Sequence, residues 1–146
     1  MSRQLLGGLT GPGGNEAGHL IKAKALTGTQ QAVAIISMGQ RDLLSLQQVF
    51  AGADPTGTVK IYKSNDYLPN PQDISGQNIA PIRAGTWTDV TARYAAQFTN
   101  PAGAGRSDEI DFGLGNTSCA YIKWEYTNTN THASTVDLWA SAKGIG

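Results

Sequence analysis

The stretch that decides the fold runs from Ser118 to Lys143 and reads SCAYIKWEYTNTNTHASTVDLWASAK. Two runs in it alternate apolar and polar residues around a Thr/Asn-rich turn, the period-2 pattern of strands with one buried face. Ala120, Ile122, Trp124 and Tyr126 share one face of the first run, and Cys119, Tyr121, Lys123 and Glu125 share its reverse. In the second run Val136, Leu138, Ala140 and Ala142 lie together, opposite Asp137, Trp139, Ser141 and Lys143. The pattern predicts a closing β-hairpin with an apolar face turned to the core. A register that pairs Lys123 with Asp137, Trp124 with Val136 and Tyr121 with Trp139 avoids setting Glu125 against Asp137, since facing like charges destabilise a sheet.

Working back toward the N-terminus, Ser107–Phe112 reads as a strand with Ile110 and Phe112 inward, followed by a turn at Gly113–Asn116. Thr86–Ala92 (TWTDVTA) alternates, and Tyr94–Phe98 either extends that strand or starts another. Residues 65–85 form a long loop rich in Pro, Asn, Asp and Gly, with a short apolar patch at Ile79–Ile82. Long loops in compact domains commonly contact something. Thr58–Ser64 is a strand with Val59 and Ile61 inward, preceded by the turn GADPTG at 52–57. Leu43–Phe50 fits a strand face (Leu44, Leu46, Phe50) as well as a helical stripe, and its β-rich surroundings favour the strand. Ala32–Met38 is a short apolar strand, and Leu20–Leu26 alternates Ile21, Ala23 and Ala25 against Lys22 and Lys24. About eight strands with turn signals between them predict an all-β fold of antiparallel strands, a sandwich or a barrel. The sandwich domain is expected over residues 19–146. Residues 1–18 hold six glycines and one proline. They are expected to be an extended Gly-rich N-terminal arm, either a loose tail or one that orders against a neighbouring subunit through Leu5, Leu6 and Leu9.

Composition agrees. The 146 residues include 18 glycines, and only 15% are charged, which suits strands and turns better than a helical bundle. Eleven basic residues balance eleven acidic ones, so whole-chain charge gives no reason to expect nucleic acid or an anionic membrane as partner. A near-neutral surface suits a protein that lives assembled. No apolar run has signal-peptide or membrane-span length, so synthesis in the cytoplasm is expected.

Four stretches together carry a resemblance. GTVKIYKSND (57–66), GTWTDVTA (85–92), AYIKWEYTNTN (120–130) and TVDLWASAKG (135–144) resemble small β-sandwich proteins of tailed-bacteriophage virions, the capsid decoration (cement) proteins and related tail modules. The likeness spans residues 50–144. It implies a jelly-roll-like sandwich on the exterior of an assembled capsid, partnered by the major capsid protein and by further copies of itself. It implies no catalytic residues.

Catalytic and ligand-binding patterns are sparse. There is no nucleophile elbow, phosphate loop or zinc-protease motif, and the chain is expected not to be an enzyme and to need no cofactor. His19 and His132 read as solvated histidines. The single cysteine, Cys119, excludes an intrachain disulfide and reads as a half-buried small side chain. Asp108, Glu109 and Asp111 read as a solvated strand surface, too few oxygens for calcium. Trp124 reads as core. Tyr121 and Trp139 lie on the polar side of the closing strands and are candidate interface residues, with Leu5, Leu6 and Leu9. They also supply the alternative, a carbohydrate- or receptor-binding module that stacks a ligand on Trp139, Tyr121 or Trp87. Coverage of that face by another strand or by the 65–85 loop is the simpler reading.

Overall fold

The computed structural model describes residues 15–39, 41–71, 80–113 and 118–143, with 15–17 as backbone only. Eight strands run in the order β1 (Asn15–Thr27), β2 (Gln31–Ser37), β3 (Leu43–Asp54), β4 (Gly57–Ser64), β5 (Thr88–Asp89), β6 (Arg106–Phe112), β7 (Tyr121–Asn128) and β8 (Ala133–Lys143). They form two four-stranded antiparallel sheets, ordered β1-β8-β3-β6 (sheet A) and β2-β7-β4-β5 (sheet B). Every connection except β4–β5 therefore passes from one sheet to the other. That interleaving is the jelly-roll topology. The segment Leu43–Phe50 is strand, as its surroundings favoured. The Thr86–Ala92 segment contributes only the two residues of β5 before a 3-10 turn at Thr91–Arg93.

The expected β7–β8 hairpin does not form. β7 pairs with β2 and β4, whereas β8 pairs with β1 and β3, so the proposed register of Lys123 on Asp137 and Tyr121 on Trp139 is replaced. The two strands lie in opposite sheets and meet across the core. The face assignment survives this change. Ile122, Trp124 and Tyr126 on one side, and Val136, Leu138, Ala140 and Ala142 on the other, are all buried. Alternation tells which side chains point inward. It does not tell whether two strands pair edge to edge or stack face to face, because both arrangements bury the same residues.

Polar groups inside the sandwich select the stacked arrangement. Asn128 and Ser134 flank the turn at inward positions and are buried. The Ser134 hydroxyl donates to Asn128 Oδ1 at 2.6 Å and lies 2.8 Å from the Tyr126 hydroxyl. The Asn128 amide donates in turn to the carbonyls of Gly28 and His132, at 2.8 and 2.9 Å. One side chain thus ties the β7–β8 turn to the β1–β2 turn. Gly57, where β4 begins, has no room for a side chain. A Cβ there would lie 2.5 Å from the Tyr126 ring. Deeper in, Trp124 Nε1 of sheet B donates to Gln48 Oε1 of sheet A at 3.0 Å, with both residues fully buried. Phe50, Trp124 and Tyr126 pack around this bond.

β1 departs from simple alternation. Its pairing with β8 shifts register between His19 and Ile21 and again between Ile21 and Lys24, and Ala23 has φ +42°. Leu20 and Ile21 are both buried, whereas Ala23 and Ala25 are exposed. The expected Ile21/Ala23/Ala25 face is therefore broken. The cause is visible on β8. Asp137 Oδ1 accepts from the Ala23 backbone N–H at 2.9 Å and bonds His19 Nε2 at 2.7 Å. Its carboxylate supplies the acceptor that the bulged backbone lacks in the ladder.

Replacing Gln48 with Leu keeps volume but leaves Trp124 Nε1 buried without an acceptor. The expected loss is about 1–3 kcal/mol, read as a lower urea midpoint with unchanged slope. Adding Trp124→Phe removes the orphaned donor, so the double variant should lose less than the two single losses combined. An unchanged midpoint for Gln48→Leu would show that this bond does not hold the sheets.

Candidate interaction face

The two outer surfaces of the sandwich are built differently. Across sheet B the outward row is Ile35, Lys123, Tyr62 and Asp89, and Ile35 is buried although it points away from the core. The segment after β4 closes over this side. Ser64 Oγ donates to Asp66 Oδ1 at 2.8 Å, and the same oxygen accepts from the Thr86 backbone N–H at 2.7 Å. Leu68 and Arg83 form a two-way backbone bridge at 3.0 and 3.1 Å. Asn65 Oδ1 accepts from Ala120 N at 2.9 Å, which anchors the start of the loop to the approach to β7. Tyr67 is thereby buried against Trp87 (5.3 Å between ring centroids) and edge-on to Tyr121 (5.0 Å). Gly85 is required here: it has φ +77°, and a Cβ would come 2.8 Å from Tyr67 Cα. Lys123 Nζ sits 4.7 Å from the Tyr62 ring and 4.6 Å from the Trp87 ring, where its charge is held by aromatic faces. Burial pushes the Lys123 ammonium below its ordinary value, with Glu125 opposing.

Among the described residues nothing covers the centre of sheet A in this way. Pairing across β1, β8, β3 and β6 sets His19, Trp139, Gln47 and Glu109 in one outward row. Trp139 is 45% exposed, one of two large hydrophobic side chains so exposed among the described residues; the other is Ile82. The His19 ring stacks on it at 3.7 Å with 5° between planes, and Asp137 holds His19 from the adjacent position. The next outward row carries Ser141, Ser45 and Asp111. These short side chains leave a shallow groove of about 330 Å³, bordered on its outer side by Leu43, Asp111 and Lys143. The surface is thus an aromatic step beside a groove, on a field of polar side chains.

The candidate residues now separate. Tyr121 and Trp139, expected as neighbours, lie on opposite outer surfaces. Tyr121 is covered by the long loop, whereas Trp139 stays open. Trp87 precedes β5, is partly buried and donates its Nε1 to the Ala84 carbonyl at 3.0 Å. Leu5, Leu6 and Leu9 lie outside the described residues. Neither histidine is simply solvated: His132 Nδ1 bonds Asp54 Oδ2 at 2.5 Å, and His19 is fixed as above. The missed signal was Asp137, an acid on an outward strand position with two partners supplied by β1. Glu109 and Asp111 are exposed, as expected of a solvated strand surface, while Asp108 pairs with Arg106 at 2.8 Å.

A second, polar cleft of about 350 Å³ lies at the β4–β5 end, lined by Lys63, Asp66, Thr86, Arg93 and Cys119 among others. Burial pushes the Cys119 thiol above its ordinary value, against weaker opposing effects of Lys63 and the Tyr121 backbone. That is the state of an unreactive thiol. Among the described residues no group of three or more His, Cys, Asp or Glu side chains could hold a metal ion. No helix among them is long and apolar enough to cross a membrane.

No family model matches the chain, and no curated protein matches its sequence. Among solved structures it is similar to the SPBc2 prophage-derived protein YomS, at 13% identity over 88% of this chain and 91% of that one, with a TM-score of 0.43. It is similar to the K1 cleaved adhesin domain of Lys-gingipain from Porphyromonas gingivalis W83, at 14% identity over 94% and 82% of the two chains (TM-score 0.34). The coat protein of Tobacco streak virus is 13% identical over 94% and 92%, with a TM-score of 0.32. Likenesses this distant assign the chain no role.

The loop that covers sheet B should be acid-sensitive. The Thr86 N–H and then the Ser64 hydroxyl hold the Asp66 carboxyl below its ordinary value of 3.8. A depressed carboxylate contributes stability above the unfolded value and loses it as pH falls through the folded one. Trp87 emission should therefore be constant from neutral pH down to that ordinary value and change below it. In Asp66→Asn the altered emission should already be present at neutral pH. A wild-type-like acid transition in Asp66→Asn would remove Asp66 as the holding group.

Proposed function

We propose that this chain is a structural protein of a tailed-phage virion that binds the exterior of the assembled capsid as a cement or decoration protein. The open outer face of sheet A is its contact surface. The observation that carries the reading is the asymmetry of the two surfaces. The chain spends a long loop covering the aromatic residues of sheet B, yet leaves Trp139 exposed at the centre of sheet A. A rigid, near-neutral sandwich with one such face suits repeated docking on a lattice. The four virion-like stretches, 57–66, 85–92, 120–130 and 135–144, support the choice of partner. In this reading the partners are the major capsid protein and neighbouring copies of the chain, no cofactor is needed and no reaction is catalysed.

Complete burial of the exposed part of Trp139 contributes about 2–3 kcal/mol per copy. Many weak contacts on one lattice then add through avidity. His19 already occupies one face of the Trp139 ring, which leaves a single face for a ligand and disfavours a sugar sandwiched between two rings.

Trp139→Ala should lower stability by about 1 kcal/mol or less, the worth of its cross-strand stack on His19, and leave the fold intact. It should weaken co-sedimentation with assembled heads prepared without the chain by roughly 30- to 100-fold per contact. Undiminished binding by Trp139→Ala would remove sheet A from the interface. Failure of the parent chain to bind heads, with glycan binding that is lost in Trp139→Ala, would replace the proposal with a carbohydrate-binding one.

A further inference from the structure

An edge strand offers a row of unpaired backbone groups to any chain that meets it. The two sheets have four such edges, β1 and β6 in sheet A and β2 and β5 in sheet B. Three of them are blunted. On β6 the Gln97 side-chain amide donates to the Asp111 carbonyl at 3.1 Å and accepts from the Asp111 N–H at 2.7 Å, so it stands where a neighbouring strand would bond. β1 shifts register twice against β8 and carries Lys22 and Lys24 on either side of Ala23, whose φ is +42°. β5 is two residues long and runs into the 3-10 turn.

β2 carries none of these devices. Its sequence, QAVAIIS, has no charge, proline or glycine, and it pairs with β7 in one unbroken register. The ladder fixes which of its backbone groups face the edge. Asn128 N–H donates to the Gln30 carbonyl, and Met38 N–H donates to the Ala120 carbonyl. Even-numbered residues therefore turn their backbone groups to β7, and Gln31, Val33, Ile35 and Ser37 turn theirs outward. Arg41 Nη1 donates to the Ser37 carbonyl at 3.1 Å, which closes that end. Among the described residues, Gln31, Val33 and Ile35 are left as the open stretch.

We propose that β2 pairs antiparallel with β2 of a second copy, about a two-fold axis at Val33, and joins the two sheets B into one sheet of eight strands. The stretch is its own complement in this register. Val33 faces its equivalent, and Gln31 faces Ile35 of the other copy. Each of these pairs exchanges two backbone bonds, about six in all. On the core side Ala32 meets Ala34, so small side chains lie at the junction. Charge permits the approach. The chain has a formal net charge of zero, so two copies have no net repulsion. Glu125 flanks Val33 on β7 but faces Lys60 on β4, which matches its charge within each copy. The two Glu125 positions lie three strand spacings apart, about 14 Å, beyond a screening length of about 8–10 Å. The pairing specifies the contact between copies, and it depends neither on capsid binding nor on what Trp139 meets.

Sedimentation velocity of the full chain in solution, without heads, reads this contact. The parent should show a monomer–dimer equilibrium at micromolar concentrations. Val33→Lys and Val33→Glu each set like charges face to face and should raise the dimer dissociation constant at least about 100-fold. Mixed one to one, the two variants should pair with each other and restore the dimer, a rescue that misfolded variants would not give. A parent that stays monomeric would overturn the proposal. So would a trimer, because an isologous edge pairing closes at two copies. A parent dimer indifferent to both substitutions would overturn it by placing the contact elsewhere. A monomeric parent whose binding to heads is lost in Val33→Lys would give the edge to a strand of the capsid protein and overturn the pairing of copies.

Discussion

The sandwich depends on a hydrogen bond that crosses its interior. Apolar side chains alone hold two sheets together with little preference for how one slides over the other, because burial is non-directional. The indole of Trp124 and the amide of Gln48 remove that freedom, since each has a direction and neither has water to fall back on. Tyr126, Ser134 and Asn128 repeat the device at one end, where the turn must step from sheet B to sheet A. Asp108 borders the same interior through its pairing with Gln48. Its carboxyl is held below the ordinary value first by Arg106, with the Gln48 amide the smallest contributor.

With the sheets locked, the outer surfaces were free to diverge. Sheet B acquires Tyr67 and Trp87 from the loop, and an outward lysine becomes tolerable because two aromatic rings take its charge. Sheet A keeps polar side chains around one exposed tryptophan. Asp137 serves both ends of this arrangement. It fixes the β1 bulge through the Ala23 N–H and orients the imidazole that lies against Trp139. The exposed ring is thus held by His19 of the neighbouring edge strand β1 and does not swing as a free side chain. That rigidity lowers the entropy lost when a partner buries it.

Much of this was legible in the sequence, but only to the level of faces. Period-2 alternation placed Ile122, Trp124, Val136 and Leu138 in the core, the strand count and turn spacing pointed to a sandwich or barrel, and the jelly-roll form was implied by the resemblance of the four virion-like stretches. Partner strands were not legible. Tyr121 and Trp139 looked adjacent because alternation is blind to whether β7 and β8 pair or stack. The clue that could have separated these was polar: Asn128 and Ser134 continue the inward parity into the turn, and a polar residue facing the core needs a partner from across it. Alternation failed in β1 for a related reason, because the acceptor that stabilises its bulge sits more than a hundred residues away. The candidate site was half legible. Trp139 was found, whereas its support by His19 and Asp137 required the β1–β8 pairing.

That pairing has a consequence for how the protein is made. Among the described strands, β1 is bonded to β8 alone, and β8 sits between β1 and β3. β1 is synthesised more than a hundred residues ahead of the strand it pairs with. Until Ala133–Lys143 has been synthesised, β1 and β3 both present unsatisfied backbone edges, and the tryptophan of the interaction face does not yet exist. Closure of sheet A therefore waits for Ala133–Lys143. A prematurely terminated product carries no partially working face onto an assembling particle, only open strands for quality control to recognise.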